Sequence, residues 1–175
     1  MRSWIGATEN RRGHEFNKEV SERLRELGWQ TKPNVKLTEI LNAKLDRNYG
    51  DVDVFAWRDG RVLAVECKDL ELAMTTSEIA RQLYEFRGEF DVGGRPDRLK
   101  KHLLRVEVLK CRIAAVGRYV HSNLEVTIEP ALVFNELVPM HFSEITTRHG
   151  IRLVAYDDLG AHWPSWRSAG LTLRI

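Results

Sequence analysis

Apolar residues recur at steps of three and four early in the chain. From Gly13 to Leu27 this spacing predicts an amphipathic helix, which Gly28 ends; its apolar positions are Phe16, Val20, Leu24 and Leu27. The stretch from Trp29 to Val35 predicts a short strand, although Pro33 disfavours a central position in a sheet. Residues 36–50 fit a helical turn or a loop equally well.

Two strand-like segments then flank a turn. The first contains Val52, Val54 and Phe55, and the second is the apolar run at residues 62–65. Between them lies Asp59-Gly60, a pair that strongly favours a tight hairpin turn. The sequence therefore predicts two antiparallel strands joined by this turn.

The second half of the chain returns to helical spacing and then to strands. Thr75-x-x-Glu78 predicts a capping box that opens a helix. A break at residues 93–96 separates this helix from a longer one, from Asp97 to Tyr119. Three late strands are expected at Ala131 to Phe134, Ile151 to Tyr156 and Leu171 to Ile175. This order predicts a mixed α/β fold with a central sheet flanked by helices, and residues 1–175 show no linker that would divide them.

Composition narrows the class of protein. Hydrophobic residues make up 43% of the chain and charged residues 30%, which is typical of a globular domain. No apolar run approaches the roughly 18 residues of a membrane span, and the N-terminus lacks the apolar core of a secretory signal. Two cysteines, Cys67 and Cys111, are too few for a disulfide framework. We therefore expect a cytoplasmic protein without zinc or a membrane partner.

Charged residues interrupt the hairpin at its open end. Because side chains alternate along a strand, Asp51 and Asp53 share one face, and so do Glu66 and Lys68. Pairing of the two strands brings Asp53 towards Glu66 and Lys68, where two carboxylates would hold a hard cation such as Mg²⁺. The alternative is an ordinary ion pair on a solvated face. The apolar run before Glu66 favours a buried strand, in which such charges require a reason.

The segments Gly50-Asp51-Val52-Asp53-Val54 and Val65-Glu66-Cys67-Lys68 resemble the PD-(D/E)XK, or restriction endonuclease-like, nuclease superfamily. The likeness is greatest to members related to Holliday-junction resolvases and to type IV restriction enzymes. The resemblance implies an αβββαβ core, with Asp53 and Glu66 as ligands of Mg²⁺ or Mn²⁺ and Lys68 as the catalytic lysine. Asp51 is the alternative first ligand.

Two further residues follow from the resemblance. Glu15, in Gly13-His14-Glu15-Phe16, is the candidate for an additional metal ligand on the first helix, although the position where many relatives carry the acid is Asn17. Gln82 lies where relatives place a glutamine that faces the catalytic site. Its alternative is an ordinary exposed polar residue.

Basic residues concentrate between positions 95 and 118, where eight Lys and Arg face two acids. We expect this helix to follow a phosphate backbone through Arg98, Lys100, Lys101 and Arg105. A solvated basic face is the alternative. Trp163 and Trp166 are expected to close the core, rather than to stack on bases.

These features predict a metal-dependent nuclease, most simply a DNA endonuclease in defence, restriction or repair, without a nucleotide cofactor. By resemblance, cutting of both strands implies a homodimer. The competing hypothesis is a catalytically degenerate nuclease fold that binds DNA or a partner. A third is a domain of a larger protein. The sequence leaves open DNA against RNA, endonuclease against exonuclease, and the preferred substrate.

Overall fold

A computed structural model describes residues 2–165, with side chains from residue 11 onwards. The expected strand at Leu171 to Ile175 and Trp166 lie outside the described residues. Helix α1 spans Arg2–Glu26, and the short helix α2 spans Leu37–Leu41. Between them, strand β1 spans Gln30–Lys36.

The predicted hairpin is confirmed as β2 (Asp51–Arg58) and β3 (Arg61–Lys68). Asp59 and Gly60 form its turn with φ values of 49° and 76°. Glycine adopts such positive φ values without steric cost, and asparagine and aspartate tolerate them better than most residues. The turn sets the register, so that Val54 pairs with Val65 near the open end of the hairpin.

The predicted capping box is also confirmed, since Thr75 caps α3 (Thr76–Glu85) together with Glu78. The long helix expected from Asp97 to Tyr119 is instead two helices, α4 (Arg98–Cys111) and α5 (Ile113–Tyr119). Arg112 separates them with non-helical φ and ψ values of −121° and 36°. Neither glycine nor proline marks this break in the sequence.

The remaining elements follow α5. They are β4 (Thr127–Phe134), a 3₁₀ turn at Pro139–Phe142, α6 (Ile145–His149), β5 (Arg152–Ala155), a 3₁₀ turn at Tyr156–Asp158 and α7 (Leu159–His162). The strands form one mixed sheet in the order β1-β2-β3-β4-β5. β1 to β3 are antiparallel, whereas β4 is parallel to both β3 and β5.

Helices cover both faces of this sheet. On one face α1 contributes Phe16, Val20 and Leu24 to an apolar core that also contains Trp163, as expected for that tryptophan. On the other face α2, α4 and α5 contribute buried residues to a second core. The mixed α/β fold with a helix-flanked sheet is thus confirmed. Among residues 2–165, no helix has the length and apolarity needed to cross a membrane.

Candidate active site

The open end of the hairpin is shaped by the side chain of Asp53. Backbone pairing between β2 and β3 runs from Arg58 and Arg61 to Val54 and Val65. Beyond it, the Cys67 backbone N–H donates to Asp53 Oδ2 at 2.9 Å. The carboxylate therefore takes the place of a backbone acceptor and is fixed beside the end of β3.

Lys68 and Glu66 lie on the same face of β3 and meet Asp53 there. Lys68 Nζ is 2.7 Å from Glu66 Oε1 and 3.9 Å from Asp53 Oδ2. The side chain of Glu66 is 6% exposed, whereas those of Asp53 and Lys68 are 22% and 23% exposed. The structure thus brings the three residues together at a partly open site, with Glu66 at its base. The side chain of Asp51, the alternative first ligand, is exposed and takes no part in these contacts.

Arg105 on α4 completes the cluster from the opposite direction. Its Nη1 is 2.5 Å from Glu66 Oε2 and donates to the Asp51 carbonyl oxygen at 2.7 Å. This contact differs from the expectation that Arg105 belongs to an exposed basic surface of the helix. The sequence does hold a signal for burial of Arg105. This residue lies three positions after His102 and four before Leu109, on the same face of α4, and both of these residues are buried.

Burial and neighbouring charge separate the two carboxyl groups. Burial, reinforced by the Glu66 carboxylate, raises the pKa of Asp53 to about 6. For Glu66, burial acts in the same direction, but the charges of Lys68 and Arg105 outweigh it and lower the pKa to about 2. Burial lowers the pKa of His102 to about 4, so its imidazole, 3.7 Å from Glu66, is neutral at pH 7. At neutral pH two carboxylates therefore face two cations.

The side chains of the site suit a hard cation but provide too few ligands to fill its coordination sphere. Asp53 and Glu66 supply carboxylate oxygens, which Mg²⁺ prefers, and Mg²⁺ commonly keeps several waters beside one or two carboxylates. No group of three or more His, Cys, Asp or Glu side chains suited to a metal occurs among the described residues. Two protein ligands thus fit Mg²⁺ or Mn²⁺ only if water fills the remaining positions.

The structure does not bring Glu15 to this site. Phe16 and Asn17 are the buried positions of that turn of α1, so Glu15 is exposed to solvent. Asn17 donates through Nδ2 to Asn34 Oδ1 on β1 at 2.7 Å. Among the described residues, Glu15 does not join Asp53 and Glu66 in a group of three metal-ligating side chains. Asn17, at the position where many relatives carry an acid, is a buried amide that holds α1 against β1 of the sheet.

Gln82 is buried, as expected for a residue that faces inward, but it contacts the chain rather than the carboxylates. Its Nε2 donates at 2.9 Å to the carbonyl oxygen of Glu71, in the segment that follows Lys68. Asn135, after β4, holds the same segment by accepting from Leu70 N at 2.9 Å and donating to Leu70 O at 3.1 Å. Both amides thereby fix the backbone just beyond Lys68, and nothing in the sequence had singled out Asn135.

The four predicted DNA-binding residues do not share one surface. Arg105 is buried against Glu66, which corrects its placement on a solvent-facing helix surface. Arg98 pairs with Glu85 at 3.1 Å, and Lys100 Nζ lies 5.2 Å from the centre of the Phe90 ring. Lys101 is exposed. The amino-terminal part of α4 therefore offers fewer free cations than its composition suggests.

Comparison with known proteins identifies the family to which the chain belongs. No curated protein matches the chain. A crystal structure of the protein of unknown function AF1548 aligns over 94% of this chain and 70% of that one, with 20% identity and a TM-score of 0.38. The model of the anti-phage Upx-like protein family matches residues 1–160. Since this match spans nearly the whole sequence, the chain belongs to the Upx-like family of anti-phage proteins.

Proposed function

We propose that the protein is a metal-dependent nuclease that cuts the DNA of infecting phages. The observation that carries this proposal is that Asp53, Glu66 and Lys68 meet at the partly open end of the β2–β3 hairpin. Membership of an anti-phage family supports the defence setting. Phage DNA is the substrate that such a site would attack in that setting.

The carboxylates and the lysine of the site would have different roles. Asp53 and Glu66 would hold the cation, which when bound polarises a phosphoryl oxygen and lowers the pKa of a bound water. Lys68 is oriented by Glu66 and keeps part of its surface open to solvent. Its ammonium group would orient the attacking water and stabilise the negative charge that develops on the phosphoryl oxygens.

The order of elements supports the proposal. α1, β1, β2, β3, α4 and β4 follow one another as the αβββαβ core of PD-(D/E)XK nucleases requires, with α2, α3 and α5 as additions. The carboxylates and the lysine lie on the second and third strands of that order. This agreement in sequence order is an argument for a restriction endonuclease-like core.

The deciding experiment is cleavage of supercoiled plasmid, linear duplex and single-stranded DNA with Mg²⁺, Mn²⁺ or EDTA. We expect metal-dependent cutting that Lys68→Ala abolishes without a loss of folded protein. Lys110→Ala is the matched control, since Lys110 is also a lysine but is exposed near the end of α4. Cutting by Lys68→Ala at the rate of the unmodified protein would refute the assignment.

A second candidate is a nuclease fold that binds DNA or a partner without cutting. One observation favours it, because Lys68 and Arg105 already occupy both carboxylate oxygens of Glu66. In that case DNA binding would survive while no metal supports cleavage, and Mg²⁺ would leave the thermal stability unchanged.

A further inference from the structure

A basic cleft borders the candidate active site on the β1 side. It has a volume of about 550 Å³ and lies between the end of β1, the start of α2 and the loop that leads into β2. The charged residues of its lining are Lys36, Lys44, Arg47 and Asp51.

The cations of this cleft are available to a ligand. Lys36, Lys44 and Arg47 are exposed, and none forms an ion pair with a carboxylate of residues 11–165. The nearby carboxylate of Glu39 is already engaged by Lys32 and by the Tyr119 hydroxyl. Since the lining holds three cations and one acid, Asp51, its net charge of +2 equals the formal charge of the whole chain.

The loop that carries two of these cations is held in place by local contacts. The Arg47 guanidinium lies 4.6 Å from the centre of the Tyr49 ring, and the Tyr49 hydroxyl donates to Asp46 at 3.1 Å. The backbone N–H of Gly50 donates to Asn48 Oδ1 at 2.9 Å, which closes a turn immediately before β2. These contacts reduce the conformational entropy that ligand binding would cost.

The cleft and the candidate active site meet where β1 ends and β2 begins. Lys36, the last residue of β1, is the register partner of Asp51 at the start of β2. The carbonyl oxygen of Asp51 accepts from Arg105, which also binds Glu66. Asp53 follows two residues later. A chain of anionic groups that passes through the cleft would therefore continue directly to the carboxylates and Lys68.

We propose that this cleft binds the phosphodiester backbone of the DNA strand next to the scissile phosphate. The proposal rests on the proposed nuclease function and moves the main DNA contact from α4 to the loop between α2 and β2. Lysine and arginine contacts to phosphates position a duplex without reading its sequence. The cleft thus accounts for recognition of DNA as a polyanion and leaves base preference to other residues.

The test is DNA binding in EDTA, where cleavage does not interfere. We would measure fluorescence anisotropy of a labelled duplex and of its single strand over a range of salt concentrations. Lys44→Gln/Arg47→Gln should weaken duplex binding and reduce the slope of log K against log salt by about 1.8, since each lost phosphate contact removes about 0.9. The control is Lys110→Gln/Arg118→Gln, which removes the same charges from exposed positions on α4 and α5.

The outcomes separate this proposal from the nuclease assignment. A Lys44→Gln/Arg47→Gln protein that keeps the original affinity and salt slope would overturn the cleft, whatever the cleavage assay shows. Absence of DNA binding by the unmodified protein would overturn it as well. Loss of binding specific to this variant would support the cleft even if no metal supports cutting. Unchanged thermal unfolding of both double variants, and a normal salt slope in Arg47→Lys, would show that the effect is one of charge.

Discussion

At the residue scale, Glu66 decides the chemistry of the site because it is nearly buried yet ionised. Lys68 and Arg105 each bind one of its oxygens. A buried carboxylate that loses one of two such partners keeps a charge that is only partly compensated, which is more costly than the loss of an exposed pair. Arg105 is therefore both a structural partner of Glu66 and a competitor for any cation that Glu66 would bind.

Arg105→Gln should lower the free energy of unfolding by about 3 kcal/mol in EDTA, because it removes one partner of a buried pair. Urea unfolding with and without Mg²⁺ measures this change, and Mg²⁺ should restore part of it by pairing with the freed oxygen. Arg98→Gln is the control, since its pair with Glu85 is exposed and should contribute less than about 1 kcal/mol. Equal effects of the two substitutions would contradict the role assigned to Arg105.

The sequence was sufficient to place Asp53, Glu66 and Lys68 together, because strand alternation and one Asp-Gly turn fix the register of a hairpin. It was insufficient for Arg105, which binds Glu66 from α4, and for Asn135, which holds the segment after Lys68 from the end of β4. At this turn of α1 the buried positions are Phe16 and Asn17, so Glu15, about 200° around the helix from Asn17, faces solvent. Local pairing could be predicted, whereas contacts across layers of the fold could not.

At the element scale, the position of the site depends on the turn that joins β2 and β3. Gly60 has a φ of 76°, and a Cβ at this position would lie 2.7 Å from the backbone oxygen of Glu125. A side chain there conflicts both with the turn and with the segment before β4. The turn lies at the far end of the hairpin from Asp53, yet it sets the register of Val54 and Val65 next to the site.

Gly60→Ala should destabilise the protein by about 1–3 kcal/mol, from unfavourable φ and from the contact with Glu125. Gly13→Ala is the matched control, because a Cβ at Gly13 meets nothing within 4 Å in the middle of α1. That change should be neutral or stabilising by up to about 1 kcal/mol. Chemical denaturation of both variants checks the pair, and a Gly60→Ala protein as stable as Gly13→Ala would contradict the described turn.

The division of the predicted long helix into α4 and α5 shows the limit of periodicity at this scale. Residues 97–119 keep helical spacing throughout, and the break at Arg112 has no glycine or proline. The two helices nevertheless pack on different partners, α4 against β4 and α5 against α2. α4 also contacts α2, and the break accompanies this difference in the main packing partner, which a local pattern does not contain.

At the scale of the whole molecule, stability and metal binding are linked through Asp53. Its pKa is raised from 3.8 to about 6, so the native state holds this proton more tightly than the unfolded chain does. Without metal, the contribution of Asp53 to stability is therefore fully present below about pH 4 and is lost as the pH rises to about 6. A cation bound between Asp53 and Glu66 favours the ionised carboxylate and opposes that loss.

We therefore expect Mg²⁺ to raise the melting temperature more at pH 8 than at pH 5, where Asp53 is largely protonated. At a concentration of 100 times its dissociation constant, a ligand stabilises the native state by about 2.7 kcal/mol, or several degrees for a chain of this size. Thermal unfolding in Mg²⁺, against a salt of equal ionic strength, measures this shift. Asp53→Asn keeps an acceptor for the Cys67 N–H but removes the charge, so it should abolish the shift and gain stability in EDTA at pH 8. A shift that is equal at both pH values, or that persists in Asp53→Asn, would mean that Mg²⁺ binds elsewhere.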